Sequence, residues 1–300
     1  MKQNETKLEA IRIRDPFILP VEEERRYYLY GTTDCDPWFG RGEGFQVWWS
    51  ADLVNWEGGK YAFCPPPGFW ATENFWAPEV HRYHGQFYML ASFHAKGRCR
   101  GVQILRSGRP EGPFTPVSNG PVTPPAWECL DGTLFIEDDV PYLVFCHEWT
   151  QIHNGTVCCA RLSGDLKELA SEPVVLFHAK NAPWSIPYTG EVIRMPGENY
   201  VTDGPFLFRT DGGELRMLWS SYCSAGYAIG VAYSESGRLQ GPWYQYGKPF
   251  FEKDGGHGML FTTFNGEKKL VMHTPNTSPL ERAVLLDVAF HAETGLIRME

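Results

Sequence analysis

Along this chain apolar residues recur with a period of two or in short continuous runs, separated by Gly, Pro, Asp and Asn. Tyr27-Tyr28-Leu29-Tyr30, Phe45-Gln46-Val47-Trp48-Trp49, Phe87-Tyr88-Met89-Leu90 and Leu215-Arg216-Met217-Leu218-Trp219 are examples. Runs of this length and makeup predict strands, and Gly and Pro between them predict tight turns. Apolar residues at helical spacing are almost absent.

The runs fall into five similar units. Each opens on a short polar motif, continues into an apolar strand, turns, and returns on an aromatic-rich strand. The openings are Arg14-Asp15-Pro16-Phe17, Ala77-Pro78-Glu79-Val80, Leu130-Asp131-Gly132-Thr133, Thr202-Asp203-Gly204-Pro205 and Gly256-His257-Gly258-Met259. We align them on Asp15, Pro78, Asp131, Asp203 and His257. Two later octets strengthen the repeat: Ser107-Gly108-Arg109-Pro110-Glu111-Gly112-Pro113-Phe114 and Ser236-Gly237-Arg238-Leu239-Gln240-Gly241-Pro242-Trp243 agree at Ser, Gly, Arg, Gly, Pro and an aromatic, at the same place in their units. A repeat of about 50 to 70 residues holding several short strands predicts four-stranded antiparallel blades. One such blade cannot cover both its faces, but five packed around an axis can. The expected fold is therefore all-β: a five-bladed β-propeller spanning 1–300 as one domain, with the first strand of each blade lining a central channel. Residues 282–290 read as a late strand, and 5–12 as a segment that pairs with the last blade. Glu137-Asp138-Asp139 reads as a solvated hairpin turn.

Composition narrows the classes. Of 300 residues 43% are hydrophobic, 21% charged and 15% aromatic, and the formal net charge is -9. Acidity argues against nucleic acid or an anionic membrane as partner. No apolar run approaches the roughly 20 residues that span a bilayer, and residues 1–10 lack the apolar core of a signal peptide. The expected location is the cytoplasm, or the periplasm or exterior if a leader has been removed. Eight cysteines include no CxxC pair, so a zinc site has little support and free thiols are expected.

Equivalent positions on successive blades form a ring at one mouth of a propeller. Three carry aspartate, Asp15, Asp131 and Asp203, and the fifth carries His257. A single Asp-Pro or Asp-Gly is ordinarily a turn. Carboxylates sharing one concave site are costly to fold around, so a phased set points to a functional site. Asp131 and Asp203 lie on neighbouring blades, and each should raise the other's pKa. A protonated Asp203 suits a general acid, while an ionised Asp15 across the channel suits a base that activates water. That pairing belongs to inverting glycoside hydrolysis. Trp76 serves equally as a wedge between blades or as a sugar platform. His147 and His94 follow second strands, where they rim the pocket or are structural. Trp48, Trp49, Trp56, Trp219 and Trp243 read as packing.

These motifs, with Phe75-Trp76-Ala77-Pro78-Glu79 and the turn at His81-Arg82-Tyr83-His84-Gly85, resemble glycoside hydrolase family 43 from about residue 11 to 290. The resemblance implies five-bladed propellers that cleave arabinofuranosyl and xylosyl linkages with inversion. Carried over by position, it makes Asp15 the base and Asp131 the residue that tunes and orients the acid. Asp203 stands where the family usually has glutamate, so the acid is one methylene short, and Glu191 is an alternative acid. Trp76, His147 and His257 are the candidate substrate contacts. His257 resembles a histidine near a channel calcium, although calcium prefers oxygen ligands and no cofactor is required.

The expected partner is thus an arabinose- or xylose-containing oligosaccharide or polysaccharide, the activity being α-L-arabinofuranosidase-like. Two other readings stand beside it. A non-catalytic glycan-binding propeller would follow from a lost acid. A phosphorylase on the same scaffold would need a cationic cluster for phosphate, for which Arg98 and Arg100 are the nearby pair.

Overall fold

The computed structural model describes residues 5–190, 195–291 and 295–299. The expected wheel is present. The first blade holds β1 (Thr6–Lys7), β2 (Arg14–Val21), β3 (Arg26–Thr32), β4 (Phe45–Ser50) and β5 (Asn55–Phe63). The second holds β6 (Glu73–Tyr83), β7 (Gln86–Ala95), β8 (Arg98–Ser107) and β9 (Thr115–Pro116). The third holds β10 (Cys129–Glu137), β11 (Val140–His147), β12 (Thr156–Arg161) and β13 (Val174–His178). The fourth holds β14 (Asp203–Arg209), β15 (Leu215–Cys223), β16 (Gly226–Ser234) and β17 (Trp243–Gln245). The fifth holds β18 (Gly256–Thr262), β19 (Lys268–Thr274), β20 (Arg282–His291) and β21 (Gly295–Arg298). Each sheet is an antiparallel meander, and β1 adds a fifth strand to the first. The innermost strands β2, β6, β10, β14 and β18 neighbour one another in turn, and β18 returns to β2. Among the described residues no helix is long and apolar enough to cross a membrane.

Closure differs from the expectation for 5–12. Thr6 pairs with Trp56 and Lys7 with Asn55, so the N-terminus is the outer edge of blade one. Contact with blade five comes just after it, through an Arg12–Arg282 bridge and the Ile13 N–H on the Glu281 carbonyl at 3.4 Å. Pairing near Trp56 lets one short strand cover an edge, and the next residues then reach blade five.

Every innermost strand is interrupted at the same place. The register shifts after Arg14, Trp76, Leu130, Asp203 and Gly256. The next residue is left-handed in each case: Asp15 (φ 52°), Ala77 (47°), Asp131 (54°), Gly204 (51°) and His257 (51°). These are β-bulges, which re-aim side chains beside a site. They also correct the alignment by one residue in two blades. Blade two aligns on Ala77 rather than Pro78, and blade four on Gly204 rather than Asp203. Asp203 shares the position of Arg14, Trp76, Leu130 and Gly256. The sequence concealed this because Asp-Gly occurs in blades three and four in different phases.

Aromatic side chains fill the gaps between blades. Phe45, Phe63, Phe75 and Phe93 interlock between the first and second, and Phe177, Trp184 and Trp219 between the third and fourth. Trp48, Trp56, Trp219 and Trp243 are buried as expected, and Trp49 partly so. The two octets adopt the same turn, with the Gly112 N–H on the Arg109 carbonyl and the Gly241 N–H on that of Arg238, both at 3.1 Å. A side chain at Gly112 would meet the Ala62 carbonyl at 2.4 Å, so glycine is needed where these blades touch. Glu137 is not solvated. It is buried, accepts the Leu239 N–H at 3.0 Å and lies 3.3 Å from Arg238, which ties blade three to blade four. All eight cysteines are free, and five are buried.

Trp219 is fully buried, with Trp184 at 4.9 Å and an Nε1–H bond to Gln245 at 2.9 Å. Replacing it by alanine should cost about 3–5 kcal/mol. Urea unfolding of the two proteins measures this, and a loss under about 1 kcal/mol would mean that the third and fourth blades are not wedged there.

Candidate active site

The five bulges meet at one mouth of the channel, below a pocket of about 440 Å³. Asp15, Asp131, Asp203, His257 and Trp76 all line it. His147 does not. It stacks on Trp127 at 4.3 Å and bonds Gln151, on the outer side of its strand end. Just past the end of β11, Glu148 and Trp149 line the pocket instead. His94 lies 3.1 Å from Glu73, away from the pocket lining. Glu191 lies outside the described residues.

The bulges also wire the blades together. Asp15 donates its N–H to His273 Nδ1 at 3.2 Å, Ala77 to Thr32 Oγ1 at 2.9 Å, Asp131 to Ser92 Oγ at 2.9 Å and His257 to Ser220 Oγ at 2.9 Å. Each acceptor sits near the end of the second strand of the preceding blade. In blade three that register holds Cys146, a weak acceptor. There Asp131 Oδ2 takes the Gly204 N–H itself, at 2.9 Å. A bond that elsewhere goes to a scaffold hydroxyl or imidazole thus fixes a carboxylate against the backbone beside Asp203.

Asp15, Asp131 and His257 are each only 7% exposed. His257 Nδ1 lies 3.3 Å from Asp15 Oδ1 and 3.6 Å from Asp131 Oδ2, so one imidazole separates two carboxylates. It packs so closely on Gly204 that a Cβ there would meet its Cγ at 2.8 Å. Burial works against ionisation at Asp15. The His257 imidazole, the Arg14 guanidinium at 3.7 Å and the Thr32 hydroxyl at 2.7 Å outweigh it, and the Asp15 pKa falls below its usual value. His273 adds no charge, because burial drives its pKa down to about 3; its Nδ1 is a neutral acceptor.

The other two aspartates move oppositely. Burial and the Asp15 charge push Asp131 well above the ordinary carboxylate range. Burial and Asp131 push Asp203 up to about 7, against the Tyr227 hydroxyl, which donates to Oδ2 at 2.9 Å and favours the ionised form. Asp203 stays partly exposed to the pocket. Two carboxyls pushed apart in acidity can divide acid and base roles near neutrality.

The walls are aromatic. Trp149, Tyr188, Tyr222 and Tyr227 form a chain with ring centroids 4.9–5.4 Å apart. A second group is Trp38 and Trp76, 5.2 Å apart edge to face, with Arg14 over Trp38 and Arg100 over Trp76. Sequence reading missed Arg14, Trp38, Glu148 and Tyr227. Arg14 directly precedes Asp15 and could have been found; Trp38 and Glu148 sit in loops and Tyr227 on a third strand, and they carry no phased signal. Arg100 is bound to Glu148 and Asn74, and Arg98 lies over Trp70, so this pair forms no phosphate cradle beside the aspartates.

Calcium binds six to eight oxygens. Near His257 the donors are one imidazole and two carboxylates, already engaged by Thr32 and the Gly204 N–H. Among the described residues no three His, Cys, Asp or Glu side chains converge as a ligand set. This donor set does not fit calcium.

A family model described as "Glycosyl hydrolases family 43" matches residues 9–294. Among solved structures, an endo-arabinase from Bacteroides thetaiotaomicron is 37% identical, covering 96% of this chain and 98% of its own, with a TM-score of 0.87. A thermostable family-43 glycoside hydrolase is 28% identical over 98% of this chain and 96% of its own, with a TM-score of 0.79. An endo-1,4-beta-xylanase from Bacteroides thetaiotaomicron is 25% identical over 100% of this chain and 97% of its own, with a TM-score of 0.77. A search of curated proteins found no match.

Proposed function

Because the chain belongs to glycosyl hydrolase family 43, we propose that it hydrolyses arabinose-containing glycans with inversion at the anomeric carbon. Asp15 is the base, Asp203 the acid, and Asp131 orients and tunes the acid. The observation that carries this reading is the opposite displacement of two carboxyl groups in one pocket: Asp15 is held ionised and Asp203 is raised to about 7. An inverting pair needs this division. Asp203 delivers its proton to the departing glycosidic oxygen. Asp15, pinned by Thr32 and its own backbone N–H, removes a proton from the attacking water. The shortened acid is offset by its position one residue before the bulge, where Tyr227 orients Oδ2. Arabinose is preferred over xylose because the 37% identical structure is an endo-arabinase, whereas the xylanase stands at 25%. Trp76 and His257 are proposed substrate contacts. No metal is required: dialysis against EDTA should leave the rate within about twofold.

Asp15→Asn should lower kcat by at least about 10²-fold on α-1,5-linked arabino-oligosaccharides. Full activity in this variant, or a product of retained configuration by proton NMR, would refute the assignment.

The pH profile offers a second check. Activity requires Asp203 protonated, so kcat/KM should fall as pH rises through about 7. It should fall again in acid, as Asp15 gains its proton below the ordinary carboxylate range. Asp131→Asn removes the carboxyl that competes with Asp203 to ionise, and should move the alkaline limb to lower pH. Tyr227→Phe removes a bond that favours the ionised form and should move it to higher pH. Shifts of the same sign in both variants would show that another group is the acid.

A further inference from the structure

Phe39 lines the pocket yet is 78% exposed. Scattered surface apolar side chains need no explanation, but this one is held in place. Asp36 Oδ1 accepts the N–H groups of Trp38 and Phe39 at 3.1 and 3.0 Å, and its carbonyl accepts the Gly40 N–H at 3.1 Å. From blade two, Asn74 Nδ2 donates to the carbonyls of Pro37 and Trp38 at 3.2 and 3.0 Å, and Trp76 Nε1 donates to that of Pro37 at 2.5 Å. The turn is therefore braced from inside and tied to a neighbouring blade. Its ring has been left in water at the rim of a pocket whose floor holds the acidic groups.

We propose that Phe39 is the platform of a second sugar subsite, on which the apolar face of the ring adjoining the cleaved residue packs. This rests on the function proposed above and deepens it: the enzyme recognises a chain of pentose units rather than one terminal sugar. A sugar offers a C–H face that an aromatic ring covers with little directional demand. Bracing the loop before binding removes the cost of ordering it. Trp38 and Trp76 belong to the inner wall, where Arg14 and Arg100 cover them. Phe39 has no such cover, and a bound chain supplies it.

The test uses the full chain. Steady-state rates are measured on α-1,5-arabinobiose, arabinotriose and arabinotetraose for the wild type, Phe39→Ala and Phe39→Trp, with thermal unfolding to verify that the exposed position does not affect folding. Calorimetry of arabinotriose on Asp15→Asn, with and without Phe39→Ala, reads binding without turnover. Phe39→Ala is expected to raise KM and Kd for the triose and tetraose about tenfold, with kcat within about twofold, and Phe39→Trp should restore them. Unchanged KM and Kd in Phe39→Ala, with an active wild type, would overturn the subsite alone. Failure of the wild type to cleave or bind any of these sugars would overturn the proposed function and this inference together. A fall in kcat without a change in KM would make Phe39 part of the chemistry, which also overturns the platform.

Discussion

The structure depends on one backbone device, repeated five times. A residue in the left-handed region breaks each inner strand and turns an N–H away from its own sheet. That N–H is satisfied by a side chain of the blade before it. A buried N–H without a partner is costly, so each blade needs its neighbour and the ring closes. Backbone in this region is strained for any residue with a Cβ. Four of the five positions nevertheless carry one, and three of those side chains, Asp15, Asp131 and His257, face the pocket. Strain kept at a site that glycine would relieve is consistent with a role for the side chains.

Electrostatics follow from this frame. The bulges bring Asp15, Asp131 and His257 together at nearly full burial. Like charges so placed cannot all ionise. The chain resolves the conflict asymmetrically. Asp15 is surrounded by Arg14, His257 and Thr32, and Arg14 is itself anchored on the buried Glu281 at 3.2 Å. Asp131 has its one short donor in Gly204 and passes its field to Asp203. Replacing a scaffold hydroxyl by Cys146 frees that N–H for Asp131, so a thiol that looks like simple core packing helps shape the acid's surroundings.

Aromatic residues serve two purposes. Between blades they are buried wedges. At the pocket they form two groups of lining side chains, one of linked tyrosines with Trp149 and one of indoles covered by arginines. Phe39 extends the second group into solvent on a loop that Trp76 holds by hydrogen bond.

Local pattern determined the all-β class, the five units and their strands, because period-two alternation and turn residues are local properties. It also singled out Asp15, Asp131, Asp203 and His257, because repetition puts equivalent positions in a ring. The exact phase was hidden: blade two turns on Ala77 and blade four on Gly204, since a bulge is defined by pairing with a second strand and not by the dipeptide at its corner. His147 was taken as a substrate contact when Glu148, just beyond the end of the strand, lines the pocket. Arg14, Tyr227, Trp38 and Phe39 come from a strand start, a third strand and a loop with no shared spacing, so only packing of the closed wheel could place them beside the aspartates. Ring order already led to the expectation of unequal acidity at Asp15 and Asp203, but its causes, burial together with Arg14 and His257 at one and Asp131 at the other, exist only once distant blades have met.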